Sequence, residues 1–274
     1  MRKLIISLCL FALPAAYSFG QVNVSGVMGS DGYSVLRADV STGLLIVPGL
    51  DVYASYALFQ ADDMSSMSRY AAGARYQLPF IELLSVGAEA GWQPKANQYS
   101  NYWTSVYGSL NLHELLFHLV PTDELKLDLG YRRTAHSFYN PEASATQNDI
   151  YAKLFQRTGG FDASVNFTKA ISYSGDTNQT PPWLDVPGFV FVASGFLDYT
   201  LGANAGYTYK FIRPYAAYNF LKRKEITDTD TLGLGLIVQI AGVSVNGSVE
   251  WYNFSRNTEF RERFFSLSAG VNFL

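Results

Sequence analysis

Cysteine is almost missing from this chain of 274 residues, since the one thiol, Cys9, falls within its first 20 residues. From Gln21 onward the polypeptide therefore has no disulfide scaffold and no thiolate metal site. Histidine is nearly as scarce, with three residues in all. Charge is also low: Asp, Glu, Lys and Arg make up 16% of the chain, against about 25% in a soluble domain. With Arg2 and Lys3 set aside, 18 basic residues face 23 acidic ones, and no basic patch of the kind that nucleic acid requires is visible. After residue 20 there is no run of about 18 apolar residues, which excludes a bundle of membrane-spanning helices.

What is abundant is aromatic and small. Phe, Trp and Tyr reach 15%, and there are 23 glycines. At the start, Arg2 and Lys3 precede the apolar run Leu4 to Ala16, followed by Ser18, Phe19 and Gly20. A charged segment, an apolar segment and a small-residue site in that order predict a removed signal peptide over residues 1–20. The run falls short of the roughly 20 residues that a spanning anchor needs. Residues 21–274 are then the working domain, with no linker or low-complexity tract inside them.

The deciding signal is a period of two. Phe161, Ala163, Val165 and Phe167 alternate with Asp162, Ser164, Asn166 and Thr168. From Leu197 to Phe211, Leu, Tyr, Ala and Phe alternate with Asp198, Thr200, Gly202, Asn204, Gly206, Thr208 and Lys210. Successive strand side chains point to opposite faces, so each such segment has one apolar and one wet side. The same pattern recurs around Leu125–Arg132, Arg69–Leu78, Leu232–Ile240 and Val243–Trp251.

A soluble sandwich also alternates, but three features favour a transmembrane barrel. Many segments reach about ten residues, the length of a tilted strand crossing a bilayer. The wet register carries charges and glycines, while the apolar register ends in aromatic residues, as lipid-facing girdles do. The chain closes on Phe265, Leu267, Ala269, Val271 and Phe273. This resembles the C-terminal targeting strand of outer-membrane proteins, except that Phe273 is penultimate and Leu274 is last.

The predicted fold is all-β, a closed up-and-down antiparallel transmembrane barrel. Its 14 strands fall near 21–29, 33–42, 51–60, 67–78, 83–92, 101–112, 124–135, 146–157, 160–172, 196–210, 213–222, 230–240, 243–254 and 262–274. Merging or loss of the first pair would give 12. An even count keeps both termini on the periplasmic side. The connections 61–66, 95–100, 137–145, 176–187, 225–229 and 257–261 are polar and are expected outside, the longest at about a dozen residues. Those at 44–50, 79–80, 114–122, 159–160, 211–214 and 241–242 are short or apolar and are expected in the periplasm. His113 to Val120 has the look of one interfacial helical turn.

The residues expected to line the interior are Arg37, Asp39, Arg69, Arg75, Glu89, Lys126, Asp128, Arg132, Lys153, Asp162, Asp198, Lys210 and Glu250, joined by Glu124 and Arg157 in the same register. Cations and anions nearly balance, which predicts little overall ion preference. Eight strands leave room only for packed side chains and 16 to 18 leave an aqueous channel, so 14 predict a narrow pore. The Ser, Gly, Thr and Asn of the wet register would leave it open.

No catalytic site, metal site or cofactor site is predicted. His113 and His118 read as turn residues. His136 beside Ser137, near Asn140, is the one arrangement reminiscent of an outer-membrane phospholipase, but adjacent strand residues point to opposite faces. Asp62 and Asp63 form a solvated acidic pair, at most a weak calcium contact, and no phosphate-binding or dinucleotide fingerprint is present.

The resemblance is to bacterial outer-membrane barrels in general, and in length and strand count to small monomeric 14-stranded porins. It implies passive diffusion of small solutes, with outer-membrane lipid, the barrel-assembly machinery and periplasmic chaperones as partners. Two alternatives remain at this stage: a surface structural or adhesion barrel, for which the loops are short, and a lipid hydrolase.

Overall fold

The computed structural model describes residues 20–29, 32–44, 46–62, 64–79, 81, 83–115, 122–182, 184–185, 192–224, 226–255 and 263–272. Residues 1–19 of the predicted signal peptide, His118, Asp63 and Phe273 lie outside the described residues, and Gly20, its last residue, opens the first strand. The elements are β1 (Gly20–Met28), β2 (Ser34–Gly43), β3 (Leu50–Ala61), β4 (Met64–Gln77), β5 (Leu84–Ala96), β6 (Tyr99–Asn111), α1 (Leu112–Leu115), β7 (Glu124–Tyr139), β8 (Glu142–Thr158) and β9 (Phe161–Gly175). They continue as β10 (Leu184–Asp185), β11 (Val192–Ala193), β12 (Leu197–Tyr207), β13 (Ile212–Arg223), β14 (Ile226–Ile240), β15 (Val243–Tyr252) and β16 (Arg263–Asn272).

Fourteen of these strands close into one barrel, with β10 and β11 forming a small separate hairpin between β9 and β12. Closure is made by β1 against β16, from Gln21 opposite Asn272 to Met28 opposite Phe265. Every neighbouring pair is antiparallel. A closed ring leaves no strand edge unpaired, the condition for placing backbone in hydrocarbon. Gly20 and Asn272 lie at the same end, which the even strand count assigns to the periplasm.

The strands run further at the outer end than the alternation implied. Lys95 to Ser100 was expected as a loop, but β5 and β6 meet across Asn97 and Gln98 alone, both left-handed at φ 49° and 60°. Two consecutive left-handed residues make the hairpin turn whose twist matches that of the strands. Likewise β7 and β8 stay paired up to Tyr139 opposite Glu142, where 137–145 was expected as a loop. Polar residues above the membrane go on pairing because water serves both faces. The exception is the connection from β9 to β12, 176–196, which is longer than the dozen residues expected.

The periplasmic turns at 44–50, 159–160 and 241–242 fall where expected, whereas the one expected at 211–214 lies at 208–211, between β12 and β13. α1 supplies a helical turn at Leu112–Leu115, and residues 116–121 of the expected turn lie outside the described residues. β12 ends at Tyr207, not at 210.

Close packing inside the wall depends on glycine. Tyr53 lies over Gly73 and Trp103 over Gly91, each directly opposite in register. A β-carbon at either glycine would collide with the ring. Tyr107, Tyr151 and Tyr215 lie over glycines of neighbouring strands in the same way.

Candidate functional site

The barrel interior is the candidate site, and its residues are fixed by strand register. One inward row crosses β1 to β8 as Gln21, Ser41, Tyr53, Gly73, Glu89, Ser105, Arg132 and Asp149. The next row toward the outside holds Asn23, Asp39, Ser55, Ala71, Gly91, Trp103, Thr134 and Gln147. Arg37, Arg69, Arg75, Lys126, Asp128, Lys153, Asp162 and Glu250 fall in the same inward register.

Two expected residues are displaced from that register. Lys210 lies beyond the end of β12 in a turn, with φ 57° and its ammonium 5.4 Å from the centroid of the Tyr209 ring. Asp198 sits at an irregularity between Leu197 and Tyr199 and pairs with Lys169, a residue of the outward register. An irregularity re-aims a side chain, and sequence alternation alone cannot reveal one.

Most charges of the wall compensate one another locally. Glu89 accepts hydrogen bonds from Tyr53 Oη and Trp103 Nε1, both at 3.1 Å, and the Arg69 guanidinium lies 4.0 Å over the Trp103 ring. Asp39 accepts a hydrogen bond from Asn23 and is within electrostatic reach of Arg37 and Arg69. Arg75 meets Asp51 at 2.8 Å, Arg157 meets Glu124 at 2.5 Å, and Lys126 joins Glu124 from the other side. Arg132 donates to Asp149 from Nε at 3.2 Å and Nη2 at 3.1 Å, while Gln147 donates to the second Asp149 oxygen at 2.6 Å.

Arg213 grips Asp162 with two nitrogens. Sequence reasoning missed Arg213, which it placed in a turn, and also Asp149. It missed the inward tyrosines as well, because aromatic residues were assigned to the lipid-facing register. Their signal is a glycine directly opposite, which is visible only once the register is known.

The charges are unevenly placed. They gather on the wall from β2 to β9. The wall from β12 through β16 to β1 presents Thr200, Asn204, Asn219, Ser244, Asn246, Ser248, Ser266, Ser268, Asn23 and Ser25, with Arg213, Arg223 and Glu250 as its charges within the strands' inward rows. One face of the interior is thus ionic and the other is built of hydroxyls and amides.

Along the barrel the interior changes from wet to dry. At the periplasmic end a cavity of about 580 Å³ is lined by Gln21, Ser41, Asp51, Arg75, Ser109 and Asp128 among others. Two cavities of about 290 and 260 Å³ share lining residues with it and meet each other at Glu89. Toward the outer end the inward register turns apolar, where Val27, Val35, Phe59, Met67, Leu197, Leu221 and Phe264 bury one another in a single cluster. Tyr99, Phe138, Ala145 and Phe196 form a second cluster. The whole wet register was expected to be rich in Ser, Gly, Thr and Asn; at its outer end it carries bulky side chains, apolar in these two clusters and polar at Gln93, Asn101, His136 and Gln147.

His136 belongs to this filled region. Its Nδ1 is 2.7 Å from Tyr99 Oη, and its ring meets Phe196 edge-on. It faces inward beside Asn101, while Ser137 takes the opposite face. His113 is 3.4 Å from Thr122 at the periplasmic rim. Among the described residues no three His, Cys, Asp or Glu side chains gather as a metal site.

No protein-family model matches the sequence, and no curated protein matches it. Solved structures match the fold. The CymD monoaromatic hydrocarbon channel is 8% identical, over 93% of this chain and 89% of that one, with a TM-score of 0.57. CdiB from Acinetobacter baumannii is 8% identical over 93% of this chain and 60% of that one, with a TM-score of 0.56. The outer-membrane protein opdK from Pseudomonas aeruginosa is 10% identical over 92% and 97%, with a TM-score of 0.50. The chain is a closed β-barrel of 14 antiparallel strands, similar in fold to these proteins.

Proposed function

We propose that this barrel is a porin-like channel for passive diffusion of small hydrophilic solutes. The observation that supports this reading is the chain of polar cavities that opens at the periplasmic end and reaches Glu89 and Arg132. An aqueous path through hydrocarbon needs fixed dipoles and charges on its wall, because an ion otherwise bears the full cost of leaving water. The inward rows supply both. Their cations and anions are interleaved, so the lumen has weak ion preference. The apolar cluster at the outer end sets the narrowest passage.

The reading is non-enzymatic. His136 is buried against Tyr99 and Phe196 and cannot act on Ser137 across the wall. Tight outer turns at Asn97–Gln98 and Asn140–Pro141 offer little surface for adhesion. The barrel-assembly machinery and periplasmic chaperones are its expected partners during biogenesis.

Planar-bilayer recordings in potassium chloride test the proposal. Discrete conductance steps with a reversal potential close to zero under a salt gradient are expected. Silence of the folded protein, both unmodified and with its outer cluster cut back by Phe59→Ser, would overturn it.

A further inference from the structure

Facing the lipid, the outward register of β9, β12 and β13 carries a cluster that transport does not use. Tyr199 stands directly between Lys169 on β9 and Lys222 on β13. The two ammonium groups lie 5.7 and 5.8 Å from the centroid of its ring. Phe167 and Phe220 pack on that ring at 6.3 and 5.8 Å. Asp198 pairs with Lys169, whereas Lys222 has no anionic partner among the described residues.

The position of the cluster identifies what it meets. Lys222 is the last residue but one of β13 and Tyr199 the third of β12, both at the outer end. An outward aromatic stack of Tyr56, Tyr70 and Trp92 lies toward the same end of β3, β4 and β5. Such girdles sit at headgroup level. Below the lysines the outward register is apolar, with Phe167, Leu201 and Phe220 in the next row and Val165, Ala203 and Tyr218 in the row after it. A cation is costly at mid-bilayer but costs about 0–1 kcal/mol near the interface, where a lysine can extend toward phosphate.

We propose that Lys169 and Lys222 bind the phosphate of an outer-leaflet glycolipid across Tyr199, with its acyl chains lying along the apolar rows beneath. Two ammonium groups supply donors from both sides, and Tyr199 offers a hydroxyl between them. Asp198 holds Lys169 in place and leaves Lys222 as the uncompensated charge.

Binding of bisphosphorylated lipid A to the purified, detergent-folded barrel, measured by native mass spectrometry, tests this. Lys169→Gln with Lys222→Gln should weaken binding about fivefold per lysine, the usual effect of one cation at an anionic membrane. Lys222→Arg should retain it, and Lys126→Gln with Lys153→Gln, in the inward register, should leave it unchanged. Equal binding by the double variant, or equal binding of dephosphorylated lipid A or phosphatidylglycerol, would overturn the site. Folding is checked by the heat-dependent gel shift; if the double variant does not fold, Lys222→Gln alone carries the test. The readout is independent of conductance, so its failure leaves the channel reading untouched.

Discussion

Replacing Asp149 by alanine isolates the most enclosed ion pair of the lumen. The Asp149 side chain is 0% exposed and that of Arg132 is 13% exposed. Its two oxygens take three hydrogen bonds, two from Arg132 and one from Gln147. Removing the carboxylate leaves the guanidinium inside the wall with no counter-charge, which costs about 3–5 kcal/mol when a pair is buried. Asp149→Asn keeps an acceptor at the same place and should cost about 1–3 kcal/mol. Replacing both partners, as Arg132→Met with Asp149→Leu, should recover most of the loss, because apolar pairs of similar volume replace buried ion pairs at little cost. The assay is urea unfolding in lipid vesicles followed by tryptophan fluorescence, arranged as a double-mutant cycle. A loss below about 1 kcal/mol for Asp149→Ala, the value of a solvated surface pair, with coupling near zero, would refute the reasoning. It would mean that water of the adjoining cavity already screens the pair, so that its enclosure in the wall adds nothing to its strength.

Two further outcomes follow from the packing. Phe59→Ser combined with Leu221→Ser removes two buried members of the outer cluster and should raise single-channel conductance; each truncation costs a few kcal/mol, up to about 5 for a Phe in a packed site. Unchanged conductance in the folded variant would show that the cluster is not the narrowest passage. Gly91→Val places a branched side chain where the Trp103 ring lies, and overpacking of this kind should destabilise the barrel by about 1–3 kcal/mol. Gly247→Ala, with nothing within 4 Å of the added carbon, is the control, and equal stability of the two variants would count against the packing argument.

The strand count was legible because a single-walled barrel imposes one rule on every strand: apolar side chains on one face and polar ones on the other. Leu125 to Arg132 obeys it without exception and Val243 to Trp251 with Gly247 as the one break in its apolar row, and both lie in strands. Strand ends were less legible. In 137–145 the polar residues read as a loop, yet Ser137 pairs with Ser144 in a continuing hairpin. Composition marks where hydrocarbon ends; backbone pairing does not have to stop there. Lys210 failed in the opposite sense, since the alternation ran on through Tyr209 and Phe211 after β12 had ended at Tyr207.

The site was legible in its charges and hidden in its dryness. Alternation states that two faces differ, and where both are apolar it falls silent. In β3, Leu58 faces the lipid and Phe59 the interior, and nothing in the run Tyr56 to Phe59 tells them apart. The outer cluster was therefore invisible until register placed Val27, Val35, Phe59 and Met67 in one row. Its presence changes what the charges can do. Ion pairs such as Arg75 with Asp51 and Arg213 with Asp162 cancel their fields over a few ångströms, so on the proposed reading the ionic wall exerts little pull on a solute at the centre. The opposite wall of hydroxyls and amides exchanges hydrogen bonds with any polar molecule. On the proposed channel reading, a lumen with interleaved charge, a second wall mostly of hydroxyls and amides and an apolar cluster at its outer end sorts solutes by the size and desolvation of what passes the cluster, before the sign of charge matters.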